Sequence, residues 1–250
     1  MLDSGAFSDV RVGDLRLGPE EALERQLRWE ANASRLWGSP WQAESIVAYD
    51  QLIDEKWVPG VGRRKQRWSV QEAERAIRVT VDAAGYLVSQ REPLAPRRLV
   101  LPCQGVDCRQ YAECVQGVLQ HAGADDVIGL GGWCILGWFR SWIPEFWSTM
   151  RTVLPMIASA GIAKIHIFGV TYLPVLGPLL WECDRHGLLL STDSSGPILA
   201  TTWKNQKKAG AKCPDWEDNV LWWQRTLAGV RRTEWYRAPP RSNKQLTLWE

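Results

Sequence analysis

The chain predicts a parallel α/β fold, of the kind that closes into a (β/α)8 barrel of the TIM type. Three observations carry that expectation. Short apolar runs alternate with helix-forming segments, strand then helix, along most of the 250 residues. The apolar runs end abruptly in acids, amides or glycines, so polar groups collect at one edge of a sheet. One of them, Leu188, Leu189 and Leu190, is a continuous apolar triplet that suits a strand buried on both faces.

Taken in order, residues 1–3 make a strand stub that carries an acid into a glycine turn. Residues 19–37 follow as a helix, with Pro19 well placed in its first turn. Residues 45–50 form a short strand ending in Asp50, and residues 60–66 a basic loop. Ser69 and Glu72 have capping-box spacing ahead of a helix to about residue 88. Residues 98–103 form a strand ending in Gln104 and Gly105, and 107–122 a helix. Residues 126–132 run as a strand into a glycine turn, and 144–160 as a helix kinked at Pro155. Residues 163–170 are a strand with alternating His166 and Phe168, ending at Gly169. Gly177 and Pro178 interrupt a helix over 174–185. A strand to Asp193 and a last amphipathic helix over 215–230 complete the pattern, and the tail from Arg237 is extended. Six strands are legible, whereas a closed barrel has eight. One or two N-terminal strands are therefore lacking, supplied otherwise, or never present.

Composition narrows the class. Hydrophobic content of 45% and charged content of 23% describe a globular protein large enough to bury a substantial core. No apolar stretch reaches membrane-spanning length without a charge or a breaker, so no membrane association is expected. The six cysteines form no C-x-x-C pair and no signal peptide precedes them, which predicts reduced thiols and a cytoplasmic protein. Net charge is only +2, but residues 62–98 hold nine Lys or Arg against four acids, and residues 201–250 ten against five. Such local excess suits either a polyanionic partner or simply solvated helix faces. Of the sixteen tryptophans, most belong to core or interface, while a minority would be free to stack on extruded bases.

Asp3, Asp50, Gln104, the glycines 129, 131 and 132, Gly169 and Asp193 stand at successive strand ends. Each has a structural alternative: aspartates cap helices and turns, an amide bridges strands, and glycines only turn. Together they make a rim suited to a planar, hydrogen-bonding ligand. Carboxylates accept from ring N–H groups and amines, an amide meets a carbonyl, and glycine lets backbone approach. The three histidines have no ligand spacing, and His166 is expected to face a neighbour or the core.

These residues resemble the tRNA-guanine transglycosylases and their DNA-modifying relatives. Leu2-Asp3-Ser4-Gly5-Ala6-Phe7 is similar to that family's L-D-S-G-G-F, with Ala6 in place of its second glycine. Asp50 resembles its base-recognising aspartate, Cys103-Gln104-Gly105 its V-Q-G, and Gly129 to Gly132 its glycine turn. Phe168-Gly169-Val170 resembles its M-G-V, and Asp193-Ser194 stands where the family places its nucleophile. The likeness runs in order from residue 2 to about 197. Two departures bear on the subfamily. Only Cys213 stands where the tRNA enzymes carry a C-x-C-x-x-C zinc site, so no metal is expected, and their full N-terminal region is lacking. A compact, zinc-free chain looks more like the phage-type 7-deazapurine DNA modification branch.

The resemblance implies a barrel-type catalytic domain over residues 1–200 and a basic, Trp-rich helix and tail over 201–250 that packs on it. It implies a DNA-guanine transglycosylase that exchanges guanine for a 7-deazaguanine such as the 7-cyano base. Asp193 would be the nucleophile and Asp3 the general acid and base. Ser4, Phe7, Asp50, Gln104, Gly131, Gly132 and Gly169 would hold the base, with no cofactor. Arg63, Arg64, Lys65 and Arg67, with Lys204, Lys207, Lys208 and Lys212, would meet phosphates. The same chemistry on tRNA, and an inactive barrel acting as a nucleic-acid- or base-binding subunit, are the competing readings. A homodimer or a partner protein is compatible with the short strand count.

Overall fold

A computed structural model describes residues 1–2, 17–51, 56–57, 65–66, 70–133, 142–170, 172–193 and 216–240. Five strands lie in one all-parallel sheet: β1 (Ser45–Val47), β4 (Arg98–Cys103), β5 (Val127–Leu130), β6 (Lys164–Ile167) and β7 (Leu189–Thr192). Between β1 and β4, β2 (Lys56–Trp57) pairs antiparallel with β3 (Lys65–Gln66). The helices are α1 (Pro19–Trp37), α2 (Val70–Ser89), α3 (Arg91–Leu94), α4 (Cys108–Leu119), α5 (Ile143–Ser159), α6 (Leu173–Arg185) and α7 (Trp216–Gly229). Spatial order in the sheet follows chain order without reversal. Every crossover therefore steps the same way, as around a barrel, and the described sheet has no switch point of the doubly wound kind. These strands make an α/β fold with an all-parallel sheet of five described strands.

The stub at the start takes its expected place. Leu2 bridges parallel to Ile46, donating to Ser45 O at 2.9 Å and accepting from Val47 N at 3.0 Å. Gln26 on α1 secures that edge, its amide donating to Val47 O at 2.9 Å and Leu2 O at 3.1 Å. α1 itself starts as its sequence dictates. Pro19 fits a first turn that has no partner for its N–H, Glu21 accepts from Gly18 N at 3.0 Å, and Gly38 ends the helix at φ 65°.

Alternation sorts the sheet into two faces. Ile46, Leu99, Leu101, Ile128, Leu130, Ile165 and Ile167 point to the helices and are essentially fully buried in one core with α2, α4, α5 and α6. The opposite face is built in register. Val47, Val100, Val127, Lys164 and Leu189 form one row, and Pro102, Gly129, His166 and Ser191 the next.

Four expectations need correction. The strand over 45–50 pairs only as far as Val47. Ala48 N still donates to Val100 O at 2.9 Å, but two residues on, Pro102 faces the same neighbour without an N–H to give, and the ladder ends. The leucine triplet is not buried on both faces: Leu188 is buried, whereas Leu189 is 61% exposed, because β7 is the edge strand of the described sheet. The basic loop over 60–66 ends in a paired strand, β3. Finally, α6 runs through Gly177 and Pro178 unbroken. Proline there forfeits one intrahelical bond, and glycine leaves space that the Trp235 backbone fills, since a Cβ on Gly177 would sit inside its carbonyl.

Past α7, the segment to residue 240 packs on α5 and α6. Arg231 makes a bidentate pair with Asp184 at 2.7 and 2.8 Å, Tyr236 donates to the same carboxylate at 2.9 Å, and Arg151 donates to Pro240 O. No helix among the described residues is long and apolar enough to cross a membrane.

Candidate functional site

The C-terminal edge of the sheet carries the expected rim, in two halves. The first half joins β1 to β5. Asp50, buried just past β1, accepts a hydrogen bond from Gln104 Nε2 just past β4. A carboxylate only accepts, so it fixes which way the amide points: the NH2 faces Asp50 and the carbonyl faces away. Gln104 Oε1 is then a buried acceptor without a hydrogen-bond partner among the described residues. In the structure one N–H of the Gln104 amide serves Asp50, and its carbonyl oxygen is placed to accept from an N–H.

Glycine at 131 is a steric requirement. A Cβ there would lie 2.6 Å from Gln104 Nε2 and 2.9 Å from Cδ, and Gln104 is only 1% exposed. Gly132 turns the chain away at φ 82°. Behind the turn, Tyr111 donates to Gly131 O at 3.1 Å, and its ring packs on Trp133, which meets Phe146 edge to face. Burial pushes the Tyr111 hydroxyl well above the usual phenol range, so it remains a donor. Gly105 completes this half, because a Cβ there would lie 2.5 Å from Tyr111 N at the first turn of α4. That turn is capped by Asp107, which accepts from Gln110 N at 2.8 Å.

The second half joins β6 to β7. Asp193 stands just beyond β7, its side chain 49% exposed. Gly169, in the left-handed region at φ 68°, donates its N–H to Asp193 Oδ1 at 2.7 Å. His166 Nε2 lies 3.5 Å from the same oxygen, and His166 Nδ1 is 2.9 Å from Ser191 Oγ. Burial raises the Asp193 carboxyl, but the nearby His166 and the hydrogen bond from the Gly169 N–H outweigh it and hold the group below the ordinary aspartate range. Asp193 is therefore an accessible, ionised carboxylate at neutral pH. Phe168 separates the halves, its ring over Gly129 so closely that a Cβ there would lie 2.7 Å from Cε2.

Below the second half opens a groove of about 470 Å3, lined among the described residues from Met1 and Ser45 through Val100 and Val127 to His166, Ser191 and Asp193. One cavity touching both outer strands means that the sheet curls around it. Four inter-strand steps separate β1 from β7, an arc of about 19 Å at the usual spacing. The two halves of the rim thus suit different parts of one ligand, with hydrogen-bond edges recognised at Asp50 and Gln104 and charge met at Asp193.

Of the other sequence-derived candidates, Asp3, Ser4, Phe7, Arg63, Arg64, Arg67, Lys204, Lys207, Lys208 and Lys212 lie outside the described residues. Lys65 is placed in β3. Gly169 gives its N–H to Asp193. His166 and Ser191 are the site residues that sequence reasoning passed over. The available signal was parity: His166 shares its sheet face with Phe168, and Ser191 shares its face with Asp193, two residues on. Among the described residues, no three His, Cys, Asp or Glu side chains gather to hold a metal ion. Comparison with protein-family models finds no match, and comparison with curated proteins finds none either.

Proposed function

We propose that the chain is a base-exchanging transglycosylase acting on guanine in DNA, with Asp193 as nucleophile. The observation that carries the reading is the state of Asp193: half exposed, ionised, and held at a strand's C-terminal end on a rim shared with the Asp50–Gln104 pair. A carboxylate so placed attacks the anomeric carbon of a deoxyguanosine. The C–N glycosidic bond breaks, guanine departs with its electron pair and takes a proton from Asp3, and a covalent glycosyl-enzyme remains. The incoming 7-deazaguanine, deprotonated by Asp3, then displaces the aspartyl ester and restores the glycosidic bond. No bond energy is lost to water, so the exchange needs neither ATP nor a cofactor. Asp50, and Gln104 through its unpartnered Oε1, receive the N–H groups of the base, with the Gly131–Gly132 backbone close by. The target base must leave the duplex stack to reach the rim, at a cost of a few kcal/mol.

The test is incorporation of radiolabelled guanine into DNA and, in parallel, into tRNA. Label should enter DNA and be lost in Asp193→Asn, with exchange falling by roughly three orders of magnitude or more. An Asp193→Asn variant that exchanges at the wild-type rate removes the nucleophile assignment. Label in tRNA alone moves the chain to the tRNA reaction, and label in neither favours a binding role.

A further inference from the structure

His166 is buried on the concave face of the sheet yet contributes nothing to the helix-side core. Its surroundings hold the ring in place. Ser191 Oγ lies 2.9 Å from His166 Nδ1 and 3.1 Å from Ile165 O, so it anchors the ring from the β7 side. The ring is further held by the edge of Phe168, with centroids 4.7 Å apart. Nε2 is buried, makes no hydrogen bond among the described residues, and lies 3.5 Å from Asp193 Oδ1. The approach is attractive with a proton on Nε2, which then faces the carboxylate. Among the described residues, both contacts to the Asp193 carboxylate, from His166 and from Gly169, fall on Oδ1, and neither uses Oδ2.

We propose that His166 is a positioning residue for Asp193: anchored by Ser191, it holds Oδ1 together with the Gly169 N–H and leaves Oδ2 as the oxygen that reacts. The catalytic consequence rests on the transglycosylase reading. Oδ2 forms the bond to the anomeric carbon while Oδ1 becomes the ester carbonyl, still facing the Gly169 N–H and His166 Nε2. In the return step the C–O bond breaks, its electron pair goes back to the carboxylate, and the same two donors stabilise the charge as it reappears. The charged or titratable groups facing His166 among the described residues are Asp193 from β7 and Lys164 below it on β6. Further down the groove are the Met1 amino terminus and the Glu44–Arg98 pair, whose atoms meet at 2.8 Å. β5 presents only Gly129 opposite the ring.

The experiment is a pH titration of the full chain labelled with 13C at the aspartate carboxyl carbons. The Asp193 signal is the one missing from Asp193→Asn. In the wild type it should titrate below the ordinary aspartate range. In His166→Gln, which removes the imidazole beside the carboxylate, its midpoint should rise by about one pH unit. Ser191→Ala, which keeps the ring but releases Nδ1, should move it the same way by less, and it serves if His166→Gln does not fold. An unchanged Asp193 titration in a folded variant overturns the proposal. Should base exchange be measurable, His166→Gln should lower kcat and shift the acid limb of the rate profile upward, with KM little changed. A shifted titration beside absent exchange in the wild type sinks the transglycosylase reading and leaves the positioning role standing.

Discussion

Replacing Gly131 with alanine tests the geometry of the rim without any substrate. The added Cβ would lie 2.6 Å from Gln104 Nε2, 2.9 Å from Cδ and 3.2 Å from Oε1, well inside ordinary contact. Gly131 has no left-handed backbone requirement, so the penalty is steric and local. Gln104 must give way by close to an ångström, but it is buried and bound to a buried carboxylate. Breaking a hydrogen bond to a charged group costs about 1.5–3 kcal/mol. Residual overpacking adds about 1–3 kcal/mol, so the loss should be about 2.5–6 kcal/mol. For a domain of this size that lowers Tm by roughly 5–24 °C. Urea unfolding followed by far-UV circular dichroism would read it for wild type, Gly131→Ala, Gln104→Ala and the double variant. In the Gln104→Ala background the methyl group enters vacated space, so Gly131→Ala should then be nearly silent. The cycle should give a coupling of at least about 2 kcal/mol, where independent sites add to within about 0.5 kcal/mol. Additive effects would refute the contact between Gly131 and Gln104, and with it the first half of the site. Gly161→Ala, at φ 79° with no atom within 4 Å, controls for backbone strain and should cost only about 1–2 kcal/mol.

The depressed Asp193 carboxyl makes stability depend on pH with a definite sign. Its contribution is fully present above the unfolded aspartate value of about 3.9 and is lost as pH falls through the lower folded value. The stability gap between wild type and Asp193→Asn should be flat at neutral pH and close in acid, staying within about 1 kcal/mol because the side chain is half exposed. Gly177→Ala should push the Trp235 backbone off α6 and expose residues 230–240 to limited proteolysis, while the sheet retains its circular dichroism. Asp184→Asn should do the same more mildly, since Asp184 holds both Arg231 and Tyr236. If phosphate contacts from the basic segments drive binding, affinity for DNA should fall steeply with salt, and near salt-independence would remove that part of the proposed function.

Periodicity and punctuation in the sequence determined the elements. Apolar runs and their polar ends located β4, β5, β6 and β7, while the proline and capping-box signals located α1 and α2, because these are local preferences of a few neighbouring residues. Placement of Asp50, Gln104, Gly131, Gly169 and Asp193 at one edge was legible for the same reason, since strands that all run one way must end together. Relations across strands were not legible. The short β1 follows from a proline on the adjoining strand, the exposure of Leu189 from edge position, and the unbroken α6 from a backbone segment nearly sixty residues away. Inside the site, only tertiary structure turned the Gln104 amide toward Asp50 and set Gly169 and His166 on one oxygen of Asp193. Hydrogen bonds are directional and short, so their pairing depends on register and sheet curvature, and neither is written in any one stretch of chain.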